Sequence, residues 1–204
     1  MSTKLIIKNT IILFVITLVA GILLGGAYEI TKDARAEQER KTTEKAYKTV
    51  FANADTFEDA DYDKDELKAY LKDNGYDEDT AYIGGVVEAK SSSGDSLGYV
   101  ITATDKNGYG GDITFTLGIT ADGSITGIEF LTLDETAGMG MKAKEASFKN
   151  QFKGLNTADY DTSIDSFSAN GIDAISGATI TTKAVTNGVS AGVLCFNYLT
   201  GGAD

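Results

Sequence analysis

The spacing of apolar residues divides the chain into four regimes. Residues 10–28 (TIILFVITLVAGILLGGAY) run for 19 positions without a charge, against the roughly 20 that a membrane-spanning helix needs. Over residues 29–54 charge returns, and Tyr47, Val50, Phe51 and Ala54 fall at i, i+3, i+4 and i+7. That spacing predicts a mostly solvated stalk helix whose later half packs on a domain. From residue 82 to 133 the period changes to two. Runs at 82–90, 98–104, 112–120 and 124–133 are rich in Val, Ile, Thr, Tyr and Phe and are split by Gly- and Asp-containing turns, Asp122-Gly123 being the tightest. The last regime, residues 179–198, places Val185, Val189, Gly192, Val193, Phe196 and Leu199 at helical spacing. Lys183, Asn187, Ser190 and Asn197 interrupt it, so a core helix is expected rather than a second membrane span.

Together these elements predict an α+β fold, an antiparallel meander packed with helices on one face, preceded by a single N-terminal transmembrane helix. Residues 55–204 form the domain. Between the stalk and the sheet, residues 55–79 hold 11 acidic residues, and alternation at Asp59, Asp61, Asp63 and Asp65 suggests a calcium loop. An EF-hand needs Gly at its sixth position and Glu at its twelfth; Lys64 and Tyr70, or Glu66 and Lys72, stand there instead. A solvated turn, a short helix over 64–72 and a stop at Asn74-Gly75 are expected. Residues 141–152 read as a helix with Ala146, Phe148 and Phe152 facing the core, stopped at Gly154. Residues 156–170 read as a long loop anchored by Ile164 and Phe167.

Charge assigns sides to the span. Lys4 and Lys8 precede it without an acid, while the remainder carries sixteen basic and thirty acidic residues, a charge of −14 against −12 for the whole chain. Residues 1–9 are therefore expected in the cytoplasm and the domain outside. The span is longer than the apolar core of a signal peptide, which is about 7–15 residues, and no Cys stands directly after it for lipid attachment. The acidic surface argues against nucleic acid as a partner. The chain has no His and one Cys, which excludes histidine-based nucleophilic catalysis, intrachain disulfides and cysteine-held iron–sulfur clusters. A redox function would have to rest on an organic cofactor. Cys195 sits in an apolar run and is expected to be buried and inert.

The chemistry concentrates in residues 171–183, G-I-D-A-I-S-G-A-T-I-T-T-K. The pattern predicts a short strand at Ile172–Ile175, a Ser176-Gly177 turn with Ser176 as N-cap, and Gly177 and Ala178 in the first turn of the last helix. Small residues at such a junction leave backbone N–H groups available to an anion, and Thr179 adds a hydroxyl beside it. Asp173-x-x-Ser176-Gly177-Ala178-Thr179 resembles the D-x-x-(S/T)-G-A-(T/S) signature of FMN-binding domains that carry their flavin as a phosphoester. Those domains occur in the G subunit of the Rnf ferredoxin:NAD oxidoreductase and in the C subunit of the sodium-translocating NADH:quinone oxidoreductase.

A second stretch, Glu135-Thr136-Ala137-Gly138-Met139-Gly140, resembles the E-T-(A/P)-G-(L/M)-G block of the same family, with Ala137 where proline is frequent. It leaves a strand and enters a helix, which would again present backbone donors. Asn107-Gly108-Tyr109-Gly110-Gly111 reads as a hairpin turn, and the family has a G-Y-x-G segment there.

The resemblance implies FMN covalently bound to Thr179, with Ser176, Gly177 and Ala178 shaping the phosphate site. Asp173 would be recognised by a flavin transferase, Glu135, Thr136, Gly138 and Met139 would form the opposite wall, and Tyr109 would lie near the isoalloxazine. It implies an electron-relaying subunit that meets other Rnf subunits in the membrane and does not catalyse a complete reaction alone. The C subunit of the quinone-reducing pump and a non-redox membrane-anchored binding or scaffold domain remain the alternatives.

Overall fold

The computed structural model describes residues 3–201. It divides into two units, residues 1–42 and 43–204. The first unit is helical throughout its described part and belongs to α1 (Thr3–Val50). This helix is long and apolar enough to cross a membrane. Along its apolar stretch the described side chains are not buried, with Leu13, Leu23 and Leu24 exposed by 63, 67 and 72%. Span and stalk, expected as separate segments, are one uninterrupted helix.

In the second unit five strands form one antiparallel sheet in chain order: β1 (Thr56–Asp59), β2 (Ala81–Lys90), β3 (Ser96–Asp105), β4 (Ile113–Thr120) and β5 (Ile125–Thr132). Four are the strands predicted from period two. The fifth, β1, falls outside that prediction. It lies in the acidic stretch and pairs Thr56–Asp59 with residues 87–90 of β2. Phe57 stacks on Tyr47 with ring centroids 5.4 Å apart, and Glu58 accepts from Lys90 Nζ at 2.6 Å. The rest of that stretch is as read: α2 (Lys64–Asp73) starts at Asp63, whose carboxylate accepts from Asp65 N and Glu66 N, and ends at Asn74 before Gly75 in the left-handed region.

The last helix, α3 (Thr179–Thr200), is buried along most of its length and lies across β2, β3 and β4. It touches the sheet closely where it has no side chains. A Cβ at Gly188 would stand 2.8 Å from Phe115 Cε1, and one at Gly192 would stand 2.6 Å from Leu117 Cδ2. Val86, Ile101, Ala103, Phe115 and Leu117 share the core with this helix. The opposite face is also covered, because Val50, Phe51 and Ala54 pack on Val87, Ala89 and Val100. Covering both faces departs from the expected one-sided sheet, although the packed residues are those predicted for the stalk.

Two further expectations are corrected. Residues 141–152 do not form one helix: a 3-10 turn, Gly140–Lys144, is followed by a single α-turn, Ala146–Lys149, with Glu145 extended between them. The buried residues are Ala143, Phe148 and Phe152, and Ala146 is exposed. Five residues apart on one continuous helix, Ala143 and Phe148 would diverge by about 140°. The break lets both face the core. The loop 156–170 is present as expected, but Ile164 is half exposed, and Phe167 alone of its two anchors packs on the core.

Asp105 ends β3 with no exposed surface. Its Oδ1 accepts from Asn107 N at 2.7 Å, while Oδ2 is buried without a partner. Burial pushes the carboxyl up to about 6, above the ordinary value near 3.9. Between those values the folded chain holds a proton that the unfolded chain releases, so this group's contribution to stability falls as pH rises through about 4 to 6. Asp105→Asn is expected to remove that dependence. In urea unfolding of the chain in detergent, the parent should gain roughly 1–3 kcal/mol relative to the variant on going from pH 7 to pH 4.5.

Candidate functional site

Three loops at one end of the sheet meet the N-terminus of α3 and enclose a cleft of about 510 Å³, a size typical of small-molecule sites. The first loop joins β3 to β4. It lies directly on the segment after β5, because Gly110 leaves no room for a Cβ against Asp134 O. Glu135 fixes it there, its Oε1 accepting from Tyr109 N at 2.9 Å and from Gly110 N at 3.4 Å. Asp105, at the base of the same loop, holds Asn107 as described above.

The second loop, residues 134–140, turns through Gly138 at φ 75. Two backbone donors at its end are used within the turn. Met139 N and Met141 N both donate to Thr136 O, at 3.1 and 3.2 Å. This block lines the cleft with Glu135, Thr136, Met139 and Gly140. Gly140 is required by close approach, since a Cβ there would stand 2.5 Å from Glu135 Oε2 and 2.6 Å from Thr181 Oγ1.

The third loop carries the D-x-x-S-G-A-T motif, and its local structure differs from the expected strand and cap. Residues 172–175 pair with no strand. Ile172 and Ile175 are buried, whereas Asp173 and Ala174 are exposed. Gly177, at φ 77, turns the chain so that Ala178 N donates to Ile175 O at 2.9 Å. The turn points Ser176 outward, and Ala178 becomes the N-cap without any side-chain capping bond. Thr182, one turn inside the helix, stitches the junction instead: its Oγ1 accepts from Ile175 N at 3.0 Å and donates to Ala178 O at 3.1 Å. The first-turn N–H groups of α3 thus keep their capacity for an external anion, and no acid stands in that turn to oppose one.

Of the residues singled out from sequence, the structure brings Tyr109, Glu135, Thr136, Met139, Gly177, Ala178 and Thr179 together in the cleft. Met139 crosses to the third loop, its Cε lying 3.3 Å from where a Cβ on Gly177 would stand. Asp173 and Ser176 face a neighbouring depression with Lys142, Glu145, Ser147 and Gln151, and Gly138 shapes its turn without lining either. Gly140, Ile180 and Thr181 complete the cleft. Sequence reasoning stopped short of the last two, at Thr179. The helical period was the available signal, since it places Thr181 facing inward behind an outward Ile180.

The three neighbouring threonines differ sharply. Thr179 is exposed, Thr181 retains 1% of its surface, and Thr182 retains none. The residues fit FMN: one end of the cleft offers uncapped helix donors for a phosphate. Tyr109, Met139 and Ile180 leave 71, 44 and 51% of their surface open, apolar area suited to a planar ring. Among the described residues no cluster of acids and Cys could hold a metal ion.

Fold and cleft define a flavin-binding domain, and residues 108–193 match the family model described as FMN-binding domain. Residues 1–50 match the model described as RnfG N-terminal region. The G subunit of the Na(+)-translocating ferredoxin:NAD(+) oxidoreductase complex of Acetobacterium woodii is 30% identical over 97% of this chain and 94% of its own length. The G subunit of the proton-translocating ferredoxin:NAD(+) oxidoreductase complex of Clostridium ljungdahlii is 28% identical over 90% and 88%. The crystal structure of Shewanella oneidensis NqrC aligns with 77% of this chain and 87% of its own at 18% identity and a TM-score of 0.50, a likeness of fold.

The chain belongs to the RnfG family, the G subunits of ion-translocating ferredoxin:NAD(+) oxidoreductase complexes. It is an electron-transport flavoprotein subunit with an FMN-binding domain.

Glu135→Ala should release the β3–β4 loop while leaving the core intact. Amide exchange at Tyr109 and Gly110 is expected to rise by roughly 10-fold or more, from the loss of hydrogen bonds to a charged group worth about 1.5–3 kcal/mol. Exchange in the middle of α3 should be unchanged.

Proposed function

We propose that this chain relays electrons within an Rnf-type complex through FMN held as a phosphoester on Thr179 Oγ, in a domain on the extracytoplasmic side of the membrane. The observation that carries the reading is the position of Thr179. It is the first residue of an uncapped 22-residue helix, it lines the cleft, and it is the only one of three adjacent threonines with an exposed side chain.

The phosphate would lie across the first-turn N–H groups of α3, whose dipole favours negative charge there. Gly177 would admit it closely, and Glu135 would hold the facing loop. Joining a phosphomonoester to an alcohol in water requires activation. The maturing flavin transferase must therefore use a flavin nucleotide whose phosphorus bears a leaving group. Thr179 Oγ takes that group's place, and the hydroxyl proton is lost. Bound FMN supplies the redox chemistry, while the chain supplies position and electrostatics. That division of labour suits a chain without His, whose single Cys195 is buried and has its thiol pushed up to about 12.

The partners follow from the relatives, which are parts of multi-subunit complexes by name; the remaining Rnf subunits are the expected neighbours of this one. Lys4 and Lys8 ahead of the apolar segment, and Glu29 after it, support an N-terminus in the cytoplasm. The quinone-reductase alternative rests on fold likeness, whereas the relatives aligned over nearly the full length are G subunits of ferredoxin:NAD(+) oxidoreductase complexes. A scaffold without flavin is disfavoured by the FMN-binding match.

Co-expressed with a flavin transferase, the full chain should give a band on a denaturing gel that fluoresces yellow-green under ultraviolet light. Thr179→Ala should abolish the band, while Thr179→Ser should retain it. A fluorescent Thr179→Ala band would refute the linkage. For topology, alkaline phosphatase fused after residue 204 should be active in intact cells and green fluorescent protein at the same place should be dark. The reverse pattern would place the domain in the cytoplasm.

A further inference from the structure

The motif around Thr179 faces two ways. Gly177, Ala178 and Thr179 line the cleft, whereas Asp173 and Ser176 open on the adjacent depression. That depression is about 340 Å³ and is walled on its far side by Lys142, Glu145, Ser147 and Gln151. Gln151 reaches across it and makes both hydrogen bonds that a neighbouring strand would make to residue 173. Its Oε1 accepts from Asp173 N at 2.7 Å, and its Nε2 donates to Asp173 O at 3.3 Å. With Ile172 N donating to Phe167 O at 2.8 Å and Ile175 N held by Thr182, the backbone of segment 172–175 is tied down at three of its four residues. Ile172 and Ile175 are buried, and Asp173 and Ala174 are exposed. The carboxylate of Asp173 is exposed, and among the described residues no Lys or Arg pairs with it.

We propose that Gln151 is a positioning residue for flavin attachment: by holding the backbone of Asp173 it presents that carboxylate, through the depression, to the enzyme that modifies Thr179. This rests on the Thr179 reading and adds to it a docking surface separate from the flavin cleft. The occupant is the flavin transferase, which meets an exposed, unpaired carboxylate and so offers a cationic group or a bound divalent metal ion to it. A free backbone at residues 172–176 would have to be ordered during docking, and that ordering weakens association. Because Gln151 touches the docking face and not the cleft, it affects how readily the chain is recognised and not how the attached flavin behaves.

The test uses the full chain in detergent, a purified flavin transferase and a flavin dinucleotide, with in-gel fluorescence as the readout. Gln151→Met keeps the side-chain length and removes both hydrogen bonds. It is expected to raise the KM for the acceptor chain roughly 10-fold, the size of two partly exposed hydrogen bonds, with kcat, thermal midpoint and the absorption spectrum of the labelled product unchanged. Asp173→Ala should weaken labelling further, and Gln151→Met added to it should cost little more, because both act through one presented carboxylate. Parent-like labelling of Gln151→Met, or effects that simply multiply in the double variant, would overturn the positioning role while leaving the Thr179 linkage standing. An unlabelled parent chain would overturn both.

Discussion

The close seating of α3 on the sheet is the constraint on which the rest of this domain depends. Gly188 and Gly192 let the helix backbone approach Phe115 and Leu117 to a distance that no side chain would allow. The helix buried by this contact carries Thr179 at its first position and Thr181 and Thr182 in its first turn. Core packing and site geometry are therefore one variable. A helix lifted from the sheet by a bulkier residue would carry the threonine away from Met139 and Glu135, which belong to the opposite wall. Glu135 performs the equivalent task on that wall, tying the β3–β4 loop to the segment after β5 so that both move as one piece.

The sequence revealed most of this architecture where the signal was repeated. The strands at 82–90, 98–104, 112–120 and 124–133 each alternate over several residues, and each is present within two residues of its predicted bounds. The helix α3 was legible for the same reason. What escaped had one residue's worth of signal. β1 offers Phe57 alone among acids, and its pairing depends on the stalk aromatic Tyr47 and on Lys90, both distant in sequence. The break at Glu145 reflects where Ala143 and Phe148 must both point, a tertiary requirement that overrides local helix preference. Segment 172–175 read as a strand because its isoleucines flank a polar residue, but the backbone of Asp173 bonds to the side-chain amide of Gln151 rather than to a neighbouring strand.

The candidate site was legible mainly through the family resemblance, whose two blocks and Tyr109 meet in the cleft. The physical reasoning about caps fared less well. Ser176 has the chemistry of an N-cap, yet the left-handed Gly177 between it and the helix turns it outward, and Thr182 satisfies the junction from inside. The omission of a cap leaves helix donors open to a ligand, so a local rule is broken at the place where the proposed phosphate site lies.

The order of the strands bears on how the protein matures. Each strand of the meander pairs with its immediate predecessor in the chain, so the sheet can assemble progressively from local contacts. The cleft cannot form in that way, because its third wall begins at Gly177, after all five strands, and α3 must dock before Thr179 has a surface to sit on. A modifying enzyme that reads a folded surface would thus ignore nascent or partly folded chains. Under the proposed Thr179 linkage, flavin would be committed only to molecules that have already passed the last step of folding, and attachment would act as a form of quality control.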